Sequence, residues 1–205
     1  MWDLTRTIAE DMPMHPGKPQ PVLKALAEPE RDGYGMSDYH FWNHTGTHID
    51  GPRHFVAGAA GLETYPLQRF ITPARVVHAR TGPVTAAMLA EALGEDFRQE
   101  AVILATGAGE RFGTPAYFDF PVLSEDGARW LIDHETGMLA VDCASVDPVD
   151  TVDFPIHRVL LGGDCLIIEE LAYTPELPER FQLVALPIKV LGSNGDPARV
   201  VGLPL

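Results

Sequence analysis

The pattern of apolar and polar positions changes repeatedly along the chain and predicts a mixture of strands and helices. Residues 2–8, 22–27 and 36–43 alternate loosely, as strands with one covered face do. Residues 101–105 are short and continuously apolar, which is typical of a strand buried on both faces. Further strands are predicted at residues 74–79, 137–142, 183–190 and 198–203.

Two segments carry the signals of amphipathic helices. Thr85 offers an N-cap side chain to residues 86–93, and Gly94 follows where that helix would end. Ser124 offers a cap to a second helix that contains Leu131 on its apolar face. With 205 residues and 45% hydrophobic content, the chain is long enough for one sizeable core and short for two domains. We predict one mixed-sheet α/β domain over residues 1–205.

The charge balance excludes some partners. The formal net charge is −14, whereas binding to nucleic acid or to an anionic membrane rests on clustered Lys and Arg. No apolar run reaches transmembrane length, and the first residues lack a signal-peptide pattern. We therefore expect a cytoplasmic protein in which Cys143 and Cys165, both next to apolar segments, are buried and reduced.

Three histidines and one carboxylate are concentrated in a single short segment. They are His44, His48, Asp50 and His54. Imidazole and carboxylate groups are the usual ligands of divalent transition metals. His48 and Asp50 are two residues apart and would point to the same side of an extended segment. The sequence therefore predicts a metal site here.

A helical zinc-protease motif is an alternative for this segment, because His44 and His48 are four residues apart. Residues 45–47 and Pro52 disfavour a helix, and the glutamate of such a motif is absent. We therefore predict a loop entered from a strand. In that loop, Gly46 would allow the backbone to bring both histidines onto one centre.

Two other polar features are weaker candidates. His40 lies in an alternating run and is better explained as a residue that packs within a strand, or as one that supports a ligand, than as a ligand. The glycines of residues 106–113 follow an apolar strand and could cradle a phosphate. Their spacing does not match a dinucleotide fingerprint, and no helical pattern follows, so we expect no nucleotide site.

The pattern His-x-Gly-Thr-His-x-Asp-x-Pro-x-His-Phe is complete over residues 44–55. It resembles the signature of the cyclase-like metal-dependent hydrolase family, which includes bacterial kynurenine formamidases and isatin hydrolases. The resemblance extends over essentially the whole chain. It implies a swivelling β/β/α type of fold and a homodimer or homotetramer.

The resemblance also implies two further metal ligands. His157 and Glu169 are twelve residues apart, as in the family, although without the resemblance they would be dismissed as surface charge. Five side chains could then hold two divalent ions if Asp50 bridges them, with Zn²⁺ the first choice and Mn²⁺ the second. Asp142 and Asp147 lie in a run similar to a family turn, and we interpret them as structural carboxylates.

The implied reaction is hydrolysis of an aryl formamide or a related cyclic amide. Two metal ions can generate hydroxide and polarise a carbonyl together. An amine leaves poorly without a proton, and His54 remains once the ligands are assigned, so we predict that it is the general acid/base. In the family, a segment resembling residues 13–17 contributes to the substrate pocket. There His15 replaces the usual aromatic residue, so this position departs from the pattern for a kynurenine-type substrate, and we expect His15 to contact the substrate.

Two other functions remain open at this point. A non-haem iron oxygenase could use His48, Asp50 and His157 as a facial triad. That assignment would leave Glu169 and the other motif histidines without roles, and no arginine stands at the usual distance beyond His157. A non-catalytic metal-binding protein is the other alternative.

Overall fold

Ten strands and four helices make up the computed structural model, which describes residues 1–205. The strands are β1 (Trp2–Asp3), β2 (Val22–Ala27), β3 (Met36–His40), β4 (His48–Asp50), β5 (Ile71–His78), β6 (Ala101–Ala105), β7 (Met138–Val141), β8 (Leu166–Glu169), β9 (Arg180–Pro187) and β10 (Gly195–Leu203). The helices are α1 (Pro29–Asp32), α2 (Ala86–Leu93), α3 (Glu125–Asp133) and α4 (Pro155–Gly162). None of the helices has the length and apolar character needed to cross a membrane.

Seven of the strands close into a barrel. Their order is β10-β4-β8-β7-β6-β5-β9, and β9 pairs back to β10 to complete the ring. The pairs from β5 to β8 are parallel, and the other pairs are antiparallel. β1 pairs with β10, while β2 and β3 form a separate antiparallel hairpin. The predicted mixed-sheet α/β fold is confirmed.

The barrel wall separates two hydrophobic cores. Side chains on β6 alternate between the two cores. Ala101 and Ile103 belong to a cluster of 18 buried residues inside the barrel. Val102 and Leu104 belong to a cluster of 23 buried residues between the wall and the helices. Both faces of this strand are therefore covered, which explains its uninterrupted apolar sequence.

The two predicted helices have the predicted caps, but α1 and α4 were not predicted. The Thr85 side chain accepts a hydrogen bond from Met88 N, and the Ser124 side chain accepts one from Gly127 N. The N-cap residue of α4 is Phe154, whose side chain cannot cap a helix. The missing cap is supplied by Asp147, which accepts hydrogen bonds from two backbone N–H groups of α4. That contact has no local sequence signal.

Strand boundaries differ from the predictions at several ends. The predicted first strand, residues 2–8, is regular only at Trp2–Asp3. Leu4 N still donates to Val200 O, but Arg6 N turns away to the Thr47 hydroxyl. The largest difference is at His48–Asp50, which form strand β4 inside the barrel wall instead of the predicted loop.

Candidate metal centre

Strand β4 presents the two central candidate ligands. Ile49 points into the barrel interior, so His48 and Asp50 on either side of it point outward, towards α4. β4 lies between β10 and β8, where His48 pairs with Glu169. The two neighbouring strands supply the backbone hydrogen bonds that keep this short segment extended. His48 and Asp50 therefore point to the same side, as predicted, although they do so from a strand and not from a loop.

The first ligand group consists of His44, His48 and Asp50, whose donor atoms lie within 4.8 Å of one another. His44 Nδ1 is 2.6 Å from Asp50 Oδ1, and His48 Nε2 is 3.4 Å from the same oxygen. His48 Nδ1 is 2.7 Å from the Gly46 carbonyl oxygen, which can only accept a hydrogen bond. Nδ1 therefore carries a proton, which leaves Nε2 as the nitrogen that would bind a metal ion in place of its own proton. Gly46 has a φ of +63°, which fits its predicted role in this bend.

The second ligand group consists of Asp50, His157 and Glu169, again within 4.8 Å of one another. His157 Nε2 is 3.4 Å from Asp50 Oδ2 and 3.3 Å from Glu169 Oε1. His157 lies on α4 and Glu169 at the end of β8, so helix and sheet meet at this point. Asp50 thus directs one carboxylate oxygen towards each group, as a bridging ligand would.

The buried polar atoms of the cluster fit a divalent cation. Asp50 is fully buried, and neither its Oδ2 nor His48 Nε2 has a hydrogen-bond partner. An unsatisfied buried polar atom costs about 1–3 kcal/mol, and these atoms face a common centre. Burial lowers the pKa of His48, but the charges of Asp50 and Glu169 outweigh this effect and raise it to about 9. The same negative field favours a bound metal ion.

His54 lies beside the cluster at the end of a short 3₁₀ turn, Pro52–His54. Its ring stacks on His44 with 4.2 Å between centroids, and it is 6.1 Å from the ring of His157. Burial lowers the pKa of His54 to about 4, with Asp50 opposing and His44 reinforcing this effect. The imidazole is therefore neutral at neutral pH and able to accept a proton.

A cavity of about 300 Å³ opens over the candidate ligands. His15 and Lys18 form part of its wall and lie in a proline-rich loop, residues 13–21, while Phe55 and Phe154 form another part. His15 Nδ1 lies 3.3 Å from its neighbouring carbonyl, Pro16 O, and the side chain is only partly exposed. The structure thus brings His15 to the cavity, where the sequence predicted a substrate contact.

Two residues that hold the candidate ligands were missed or misjudged from the sequence. Asp147 does more than close a turn, because its Oδ2 accepts a hydrogen bond of 2.6 Å from His157 Nδ1. Asp142 is a structural carboxylate as predicted, accepting from the backbone N–H of Thr106. Asn194 was not singled out, yet its Oδ1 lies 3.0 Å from His44 Nε2. Neither the Asp147–His157 contact nor the Asn194–His44 contact follows a spacing that a sequence motif would reveal.

His40 does not belong to the site. It is exposed on the β2–β3 hairpin, and its Nε2 lies 2.9 Å from Asp38 Oδ2. His40 does lie on a strand, but its exposed side chain neither packs against the core nor supports a ligand, so both parts of the interpretation are wrong. The alternating run at this position lies on a hairpin whose two strands are largely exposed.

The chain is therefore a closed mixed barrel with a candidate two-metal centre, in which two ligand groups share the carboxylate of Asp50. The model of the Cyclase family matches residues 2–148, and the chain belongs to that family. The matched region contains His44, His48, Asp50 and His54. It ends before His157 and Glu169, which only the fold brings to the same centre.

Individual relatives match nearly the full length of the chain. It is 28% identical to the kynurenine formamidase of Salinibacter ruber over 203 residues, covering 97% of this chain and 95% of the relative. The solved structure of a predicted metal-dependent hydrolase from Bacillus stearothermophilus is 28% identical with a TM-score of 0.83, covering 98% and 96% of the two chains. Isatin hydrolase A from Ralstonia solanacearum has a TM-score of 0.87 at 22% identity, covering 99% and 91%, which shows a shared fold.

Proposed function

We propose that the protein is a divalent-metal-dependent hydrolase that cleaves the C–N bond of an aryl formamide or a related cyclic amide. The observation that carries this proposal is the position of Asp50, which is shared by two ligand groups. Similarity to a kynurenine formamidase supports the substrate class. Imidazole and carboxylate donors suit Zn²⁺ first and Mn²⁺ second, and we propose two ions per chain.

The proposed chemistry divides the work between the metal centre and the surrounding side chains. Divalent ions, when bound, would activate a water molecule and polarise the substrate carbonyl. Neutral His54 would accept the proton of the attacking water and then donate it to the departing nitrogen. Phe55 and Phe154 would pack against an aryl ring, and His15 would contact the substrate from the proline-rich loop.

The direct test is turnover by protein loaded with Zn²⁺ or Mn²⁺. Formate release from N-formyl aryl amines and ring opening of isatin should both be assayed, with a chelator and the His48→Ala variant as controls. We expect amide hydrolysis that continues under strictly anaerobic conditions, since an iron oxygenase would stop there. Metal-loaded protein that hydrolyses no member of an amide and lactam panel would contradict the proposal.

We further propose that the protein is a homodimer or homotetramer and that a second copy covers the β2–β3 hairpin. Both faces of this hairpin are largely exposed, and an isolated two-stranded sheet is marginally stable. Tyr34, Tyr39 and Trp42 are 56%, 62% and 47% exposed, and Lys18 of the cavity wall lies 4.4 Å from the Trp42 ring. A second copy on the hairpin would therefore border the cavity.

Sedimentation should show an oligomer that Tyr39→Glu weakens, and a monomeric wild-type protein would contradict this assignment.

The cytoplasm is the location that we propose for this enzyme. Cys143 and Cys165 are both buried and unpaired. Free thiols are typical of proteins in reducing compartments. Cell fractionation should recover the protein with cytoplasmic enzymes.

A further inference from the structure

Glu170 occupies an unusual position at the end of β8. It follows the candidate ligand Glu169 directly, and yet both side chains line the cavity. Successive side chains of a regular strand point to opposite faces, so residue 170 would be expected on the side of Ile168, inside the barrel. The φ of Glu170 is +56°, in the left-handed region that non-glycine residues rarely adopt. This backbone conformation interrupts the alternation and directs Glu170 to the cavity.

The backbone of Glu170 is fixed on both sides by hydrogen bonds. Its N–H donates to the Cys143 carbonyl at 3.0 Å, and its carbonyl accepts from the Thr47 hydroxyl at 2.7 Å. Thr47 is itself buried and lies immediately before His48. The unusual conformation is therefore held by the same segment that carries the candidate metal ligands.

The Glu170 carboxyl group lacks a partner within the protein. The residue is 6% exposed, and its Oε2 is buried without a hydrogen bond. It belongs to neither of the two ligand groups, which use Asp50 and Glu169. The cavity wall thus includes a largely buried carboxyl group that belongs to neither ligand group and forms no hydrogen bond with a neighbouring side chain. Strained, buried and unpaired groups of this kind concentrate at functional sites.

We propose that Glu170 is a specificity-determining residue that accepts a hydrogen bond from an N–H group of the substrate. The site then selects amides whose nitrogen carries a hydrogen, and it discriminates against N-alkylated amides. A substrate without the donor leaves the buried carboxyl unpaired, which is a stronger form of rejection than a poor apolar fit. This inference rests on the proposed amide hydrolase function.

A kinetic comparison tests the inference with a matched pair of substrates. The ratio of kcat/KM for formanilide to that for N-methylformanilide should fall by about 10- to 100-fold in Glu170→Met. Comparing ratios between enzymes cancels the intrinsic reactivity of the two amides. Glu170→Gln keeps an acceptor but loses the charge, so its ratio should lie between those of the wild type and Glu170→Met. Glu91→Met makes the same chemical change at an exposed position of α2 and should leave the ratio unchanged.

A binding measurement separates this inference from the proposed function. Aniline and N,N-dimethylaniline differ in their N–H donors, and ligand-observed NMR on zinc-loaded protein can compare their affinities. Wild type should prefer aniline, and Glu170→Met should lose that preference while its zinc content stays the same. Retention of the preference would overturn the inference, even if the protein hydrolyses formanilides. If wild type hydrolyses neither formanilide, the proposed function fails while the binding comparison still decides the role of Glu170. If Glu170→Met does not fold, the kinetic and the binding comparison are both made with Glu170→Gln.

Discussion

His54 differs from the neighbouring histidines in its electrostatic surroundings. The pKa of His48 is raised to about 9 by the charges of Asp50 and Glu169, which outweigh burial. The pKa of His54 is lowered to about 4, chiefly by burial. A residue that is neutral at neutral pH can take a proton at the start of a reaction and return it later. We therefore treat His54 as the proton carrier and not as a ligand.

His54→Asn tests this assignment, because asparagine keeps a similar size but cannot shuttle a proton. We expect kcat to fall by about 10²- to 10⁴-fold, the usual contribution of general acid/base catalysis. Metal content and the thermal unfolding temperature should remain those of the wild type. Substrates that expel a stable anion should be less affected than those that expel an amine. A variant that loses its metal would identify His54 as a ligand instead.

Asp147 gives a second prediction about a single residue. Its hydrogen bond to His157 Nδ1 orients the ring, and such supporting carboxylates typically contribute about 10- to 100-fold to metal affinity. Asp147→Asn should therefore weaken zinc binding by that factor in a competition titration. Asp142→Asn is the matched control, since Asp142 bonds backbone N–H groups away from the ligands. The control should lower stability with little effect on zinc affinity, and equal effects of both variants on zinc would contradict this role.

Local spacing predicted part of the site and could not predict the rest. His48 and Asp50 follow the two-residue period of an extended segment, so their shared orientation was visible in the sequence. Asn194 is 150 residues away from His44 in the chain and meets it only after the barrel closes. Glu170 could not be recognised either, because a left-handed φ is not expected for glutamate.

Among the elements, strands and capped helices with continuous patterns were predicted well. β6 and α2 match their predicted bounds, because each carries its own local signal. β4 has only three residues and lies between Thr47 and Gly51, so its extended form depends on pairing with β10 and β8. α4 depends on Asp147 for its first hydrogen bonds. β4 and α4, which are stabilised by distant partners, were both missed, and so was the single-turn helix α1.

Gly195 on β10 gives a prediction about the strands that hold the ligands. It pairs with Asp50, and a Cβ at position 195 would lie 3.0 Å from both Asp50 Oδ1 and His44 Nδ1. Gly195→Ala should therefore displace the ligands and reduce metal affinity by about tenfold or more. Gly202→Ala on the same strand places a Cβ 3.0 Å from Leu177 and 3.1 Å from Phe181 instead.

The two glycine variants should affect different properties. Gly202→Ala should lower the free energy of unfolding by about 1–3 kcal/mol through overpacking of the core, with metal affinity unchanged. Zinc titration and chemical denaturation of both variants measure the two effects separately. Unaltered zinc affinity in Gly195→Ala would show that β10 does not shape the ligand geometry.

At the scale of the whole molecule, barrel closure brings the two ligand groups together. The first group is local in sequence, whereas His157 and Glu169 come from α4 and β8, more than 100 residues further along. The pattern of strands predicted a mixed sheet but not its closure, since closure depends on β9 and β10 pairing with each other and with opposite ends of the sheet. Such long-range pairings leave no periodic signal.

Metal stoichiometry tests the central claim that Asp50 joins two metal sites. Mass spectrometry of metal-replete protein, combined with titration by Zn²⁺, should find two ions per chain. Glu169→Ala should retain about one ion, because only the second ligand group is broken. Asp50→Asn should weaken binding of both ions. A single ion in the wild type that persists unchanged in Glu169→Ala would contradict the claim of two sites sharing Asp50.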